Sequence, residues 1–259
     1  MAESFLEVNG LTKTFGQIAA NDDISFEIGR DEMVGLIGPN GAGKSTLIRN
    51  LVGILKPTSG TITFKGHSIA GMQIPQIVNR GIAATSQVVK PFRHLPAVAN
   101  VMVPCLCPRA KRKGEWVKSV EQRAMDALEF CGIADMANEP ASILSHGDLK
   151  RLELAKAIAT DPELLLLDEP FGGLNLAETT LIANSLKRLH KGGRFGKLHN
   201  EGPAMLIVEH KLSELMRIVD RVIVINFGKI LAVGTPEEIV NNKTVIEAYI
   251  GKEVERNVS

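Results

Sequence analysis

The chain has 259 residues, enough for one large or two modest domains with a substantial core. Hydrophobic residues at 44% and charged residues at 23% fit a folded globular protein, which excludes disordered and fibrous classes. A formal net charge of +1 lacks the basic excess of a nucleic-acid-tracking protein, so no nucleic acid partner is expected. Apolar runs such as residues 164–167 and 222–225 are strand-sized, far below a membrane span. The start Met1-Ala2-Glu3-Ser4 has neither the basic opening nor the apolar centre of a secretory signal, and a cytosolic location is expected. Cys105, Cys107 and Cys131 form an odd set without zinc or disulfide spacing, so reduced structural thiols are expected.

In chain order, residues 5–8, 24–28 and 33–37 read as antiparallel strands, the third running directly into glycine. Residues 44–55 carry apolar side chains at Leu47, Ile48, Leu51, Val52 and Leu55, a helical spacing that stops at Pro57. Residues 61–64 and 81–85 read as further strands. From 91 to 145 the chain looks predominantly helical, with Lys111-Arg112-Lys113 between segments, and forms a candidate subdomain. Strand and helix then alternate over 164–167, 177–190, 204–208, 212–219 and 222–225. Continuous apolar runs separated by helices indicate a parallel sheet covered on both faces, hence an α/β fold. Two short helices are expected around 236–240 and 244–250, and the Gly-rich basic segment 191–197 reads as a solvated turn.

Gly38-Pro39-Asn40-Gly41-Ala42-Gly43-Lys44-Ser45-Thr46 fits the G-x-x-x-x-G-K-[ST] phosphate loop and lies between a strand and a helix, as that motif requires. Glycine lets the backbone wrap a phosphate so that N–H groups and the helix N-terminus face it. Lys44 then reaches the β- and γ-phosphates of ATP, and the Ser45 hydroxyl ligates Mg2+. Residues 164–167 deliver Asp168 and Glu169 at the end of a buried strand, where open α/β sheets bind ligands. Asp168 suits magnesium, and Glu169 is placed to orient or deprotonate the attacking water.

Leu144-Ser145-His146-Gly147-Asp148 resembles the L-S-G-G-Q signature of ABC transporter ATPases, with His146 and Asp148 replacing the family residues. Ser145 also reads as a plain helix cap. The resemblance runs from Phe5 to about Ile250. It implies a P-loop NTPase core with a mixed sheet, an N-terminal antiparallel β subdomain and an inserted α-helical subdomain. Residues 1–259 would form a single nucleotide-binding domain, with about 91–160 as the helical signature subdomain and about 235–259 as a C-terminal helical tail. It further implies that Ser145 and Gly147 touch the γ-phosphate of ATP held by an opposite subunit. Gln87 would sense magnesium and the attacking water, and His210 would contact the γ-phosphate. Phe15 occupies the position that stacks on adenine, a core phenylalanine being the other reading. Asn175 in Gly172-Gly173-Leu174-Asn175 stands where most of the family has aspartate.

Arg151-Leu152-Glu153, Val208-Glu209-His210 and the tail from Gly234 to Gly251 are similar to the group importing branched-chain amino acids, urea or short amides. The implied partners are a second ABC ATPase subunit, identical or paralogous, separate membrane permeases and an extracytoplasmic solute-binding protein. The location implied is peripheral, on the inner face of the cell membrane. The alternatives are the ATPase of a lipid or lipopolysaccharide exporter and a non-transport ABC ATPase.

Overall fold

The computed structural model describes residues 4–85, 89–110, 117–192 and 202–256. The chain divides into two compact units, one taking residues up to Ile74 and again from Leu206, the other Pro75–Met205.

In the first unit, β1 (Leu6–Phe15) and β2 (Ile18–Ile28) form an antiparallel hairpin, with Leu6 opposite Ile28. Leu6, Val8 and Leu11 are fully buried. β1 pairs on its other edge with β4 (Ser59–Phe64), and β4 with the short β5 (His67–Ser68). The third expected antiparallel strand, β3 (Met33–Ile37), belongs elsewhere. It runs parallel to β9 (Arg221–Asn226), with Val34 opposite Arg221 and Ile37 opposite Val224. The reason is burial: all five residues of β3 are buried, as in a strand covered on both faces, whereas an antiparallel strand with one wet face alternates.

Helix α1 (Lys44–Leu51) ends four residues before the expected Leu55, because Gly53 turns left-handed at φ +76 and its N–H bonds to the Asn50 carbonyl. A strand that sequence reading did not anticipate, β10 (Lys229–Gly234), folds back on β9. The hairpin between them turns at Phe227 and Gly228, both with positive φ, the combination a tight antiparallel hairpin favours. The order in this unit is β10-β9-β3-β8, where β8 (Ala204–Val208) contributes its residues from Leu206 onward. The unit is completed by α7 (Leu212–Met216), α8 (Pro236–Val240) with its Thr235–Glu238 capping box, and α9 (Lys243–Arg256).

The second unit takes most of α2 (Ile74–Arg80), then β6 (Ile82–Ala84), which runs parallel to β7 (Leu164–Asp168). Helices α3 (Ala97–Cys105), α4 (Val117–Phe130) and α5 (His146–Ile158) pack on one another through Val101, Cys105, Ala124, Ala127, Leu128, Leu152 and Ala155. Helix α6 (Leu176–His190) follows β7 and buries Ile182 and Leu186. The expected helical character between residues 91 and 145 is present in the described part, whereas Lys111-Arg112-Lys113 and residues 193–201 lie outside it. Cys105, Cys107 and Cys131 form no disulfide among the described residues, and burial pushes the Cys131 thiol up to about 12. Among the described residues, no helix is long and apolar enough to cross a membrane.

Candidate nucleotide site

The phosphate loop joins β3 to α1 and is shaped from outside by three neighbours in its own unit. From β2, the Asn21 side-chain amide donates to the Gly43 carbonyl at 3.1 Å. From the β9–β10 turn, the Gly228 N–H donates to the Ala42 carbonyl at 3.0 Å. From α9, the Tyr249 phenol comes near the N–H of Gly38, whose dipole favours the phenolate. Two glycines are sterically required. A Cβ on Gly38 would lie 2.1 Å from the Ile225 carbonyl oxygen, and one on Gly43, at φ +103, would lie 2.1 Å from that of Ala20.

Lys44 is buried, and its ammonium donates to the Gly38 and Pro39 carbonyls at 2.7 and 3.0 Å. It therefore lies folded along the loop, where a cation can meet phosphate charge. Asn40 and Gly41 are exposed at the loop's crest, while Ser45 and Thr46 are half-buried in the first turn of α1. That turn holds no acidic residue, so nothing there opposes an anion at the positive end of the helix.

His210 follows β8 and is exposed. Its backbone is fixed by Glu209, only 1% exposed, whose carboxylate accepts the N–H groups of His210 at 3.0 Å and Lys211 at 3.3 Å. Phe15 is not a core residue: it is 50% exposed at the end of β1, with the Lys13 ammonium 5.2 Å from its ring centre. An aromatic face left in solvent is available to a base.

The second unit carries the carboxylates. The N–H of Asp168, at the end of β7, points at the Thr85 hydroxyl at 3.4 Å. Glu169 has a left-handed backbone, φ +50, a conformation that costs energy in a non-glycine residue. Its carbonyl is held by the Lys150 ammonium at 2.9 Å and by the N–H of Gly172 at 3.1 Å. Ser145 caps α5, accepting the Asp148 N–H at 3.1 Å and donating to the Asp148 carboxylate at 2.6 Å. Gly147 is buried in the first turn of that helix. Asn175 caps α6 in a capping box with Glu178, each accepting the other's backbone N–H at 2.9 Å. Its amide therefore has a structural role whatever it does toward nucleotide. Gln87 lies outside the described residues.

Sequence reading missed Lys150, Asn21 and Tyr249 as contributors. A signal existed for Lys150, which sits with Gly147, Leu154 and Ile158 on the buried face of α5, a cation on an apolar stripe. For Asn21 and Tyr249 nothing local distinguishes them.

The pattern of the family described as ABC transporter matches residues 21–172, more than half of the chain, and spans the phosphate loop, the Ser145 turn and the carboxylate strand. The chain belongs to the ABC transporter family. It is an ATPase subunit of that family, with the P-loop α/β fold expected from its sequence. Over 97% of its length it is 38% identical to the whole of the high-affinity branched-chain amino acid transport ATP-binding protein LivG of Salmonella typhimurium. BraF of Pseudomonas aeruginosa, named for the same transport, is 36% identical over 97% of this chain and 100% of its own. The solved ADP conformation of MJ1267, an ATP-binding cassette of an ABC transporter, superposes with a TM-score of 0.84 at 27% identity, covering 96% of this chain and 99% of that one. Residues 229–255 match a pattern described as branched-chain amino acid ATP-binding cassette transporter, which places β10, α8 and α9 within the likeness.

Proposed function

We propose that this ABC ATPase powers the uptake of branched-chain amino acids, or of related small amides or urea, by closing as a dimer around ATP. The end-to-end identity to LivG and BraF carries that reading. The chain acts as a single nucleotide-binding domain, with residues 91–160 as the signature subdomain and 235–259 as the tail. It works on the inner face of the cell membrane with separate permease subunits and an extracytoplasmic solute-binding protein.

Residues Gly38 to Thr46 cradle the phosphates, and Phe15 stacks on adenine. Magnesium is held by few protein oxygens together with substrate phosphates, and the Ser45 hydroxyl, the Asp168 carboxylate and the Gln87 amide are the hard oxygen donors that suit it. Bound by these groups, the ion would supply charge that neutralises the developing phosphate charge. Glu169 takes the proton of the attacking water, His210 contacts the γ-phosphate, and water adds to that phosphorus as ADP leaves. Ser145 and the Gly147 backbone serve the ATP of the partner subunit, and the exposure of Ser145 supports this.

A groove of about 300 Å3 in the second unit is lined by Val78, Phe92, Val103 and Pro104 together with Thr160 and the Glu153–Lys156 ion pair, and Phe92 and Val103 are about half exposed. It suits a cytoplasmic permease segment that offers both an apolar and a polar contact. Purification from membranes tests the partners. Two multi-spanning permeases with an amino-acid- or amide-binding protein are expected, and a lipid-extracting complex would overturn the import reading. Mixed dimers test the shared site. Lys44→Ala and Ser145→Arg should each fail to occlude nucleotide alone, whereas a mixture regains one complete site. No occlusion from crosslink-verified mixed dimers would refute it.

A further inference from the structure

We propose that His146 is a positioning residue that ties the Ser145 turn to the loop carrying Glu169, so that both move as one piece during ATP turnover. The proposal deepens the reading above and rests on its assignment of Glu169 and Ser145 to turnover.

The family signature has glycine at this position, and glycine has no side chain to make such a tie. In this chain the imidazole Nε2 of His146 lies 3.1 Å from the Gly172 carbonyl oxygen. A carbonyl only accepts, so Nε2 carries the proton and donates, in the neutral ring and the charged one alike. The ring also occupies the space above the next residue. A Cβ on Gly173, at φ +75, would lie 2.7 Å from Nε2.

A second contact seats the same turn. A Cβ on Gly147 would lie 2.5 Å from a carboxylate oxygen of Glu178, the residue that closes the capping box with Asn175. The signature turn is thus fitted against both ends of the segment from Gly172 to Glu178.

The tie reaches the chemistry through one residue. Gly172 accepts from His146 with its carbonyl and donates with its N–H to the Glu169 carbonyl at 3.1 Å. The first turns of α5 therefore grip the Glu169 backbone twice, directly through Lys150 and indirectly through His146 and Gly172. A displacement of Ser145 is carried to a residue whose left-handed backbone has little freedom to absorb it.

The test compares His146→Leu, which keeps bulk and loses the donor, with His146→Gln, whose amide N–H reaches the position of Nε2. Both are assayed as full chains for thermal midpoint, KM for ATP and kcat. His146→Leu is expected to lower kcat roughly ten- to a hundred-fold, as for a displaced reacting group, with KM changed less than about two-fold. His146→Gln should stay within about three-fold of wild type in kcat, since the hydrogen bond is restored. Thermal midpoints should match. The proposal is overturned if His146→Leu retains wild-type kcat, if both variants lose equally, or if the loss is in KM. A separate arm measures ATP-dependent dimerisation of Glu169→Gln with His146 intact. Failure there sinks the dimer reading and leaves the kcat comparison to judge the tie.

Discussion

The Lys150 ammonium lies 2.9 Å from the main-chain carbonyl of Glu169, so a buried cation on the signature helix holds the backbone of the proposed catalytic base. A hydrogen bond from a charged donor contributes about 1.5–3 kcal/mol. Lys150→Met keeps the stem and removes that donor. Its kcat should fall roughly ten-fold or more while KM for ATP moves little, because the phosphate loop is untouched. Steady-state hydrolysis at varied ATP checks this, and unchanged kcat would contradict it.

Glu169→Gln keeps the shape of the side chain and removes its charge and basicity. ATP and magnesium should still bind, turnover should fall nearly to background, and an ATP-bound dimer should accumulate. Size-exclusion chromatography with ATP, beside a phosphate-release assay, gives both readings. Ordinary turnover would end the assignment of Glu169.

Gly43→Ala places a methyl group against the Ala20 carbonyl at a backbone angle that L residues avoid. The strain alone is about 2 kcal/mol. The loop should widen, with a lower thermal midpoint and loss of ATP affinity in a calorimetric titration. Wild-type affinity would show that the loop tolerates a shape it does not adopt here.

Burial pushes the Tyr249 phenol up to about 12 from its ordinary value of 10.0, and the Gly38 N–H works in the opposite direction. The neutral phenol is thus favoured in the fold. Its contribution is complete below pH 10 and is lost as pH rises toward about 12. Denaturant midpoints should fall more steeply across that window for wild type than for Tyr249→Phe. Parallel curves would remove Tyr249 as the cause. The buried Cys131 thiol, also at about 12, contributes equally to both proteins.

What could be read from sequence was what is local. The phosphate loop needs glycines and a lysine within nine consecutive residues, and Asp168 and Glu169 end an unbroken apolar strand. Period and burial gave most strands and helices for the same reason. What could not be read depends on distant partners or on a single backbone angle. β3 sits beside β9 because both are buried on two faces, a choice invisible in residues 33–37 themselves. α1 stops where one glycine turns left-handed, although the apolar spacing continues. β10 escaped notice because its residues are only half covered and do not alternate cleanly. Phe15 could have been core or surface by type, and its exposure decided the matter. His146 looked like a departure from a pattern, and only its distance to Gly172 gives it work to do.

Tyr249 is the chain's one tyrosine, and its hydroxyl lies near the N–H of Gly38, the first residue of the phosphate loop. The molecule therefore contains its own spectroscopic reporter. Fluorotyrosine incorporated during expression would give a single fluorine resonance, placed where nucleotide is expected to bind, with no labelling chemistry and no second signal to resolve. The same contact makes the C-terminal helix a handle on the loop. A purification tag or fusion partner appended there would perturb the very signal it was added to help measure, so the opposite end of the chain is the place for one.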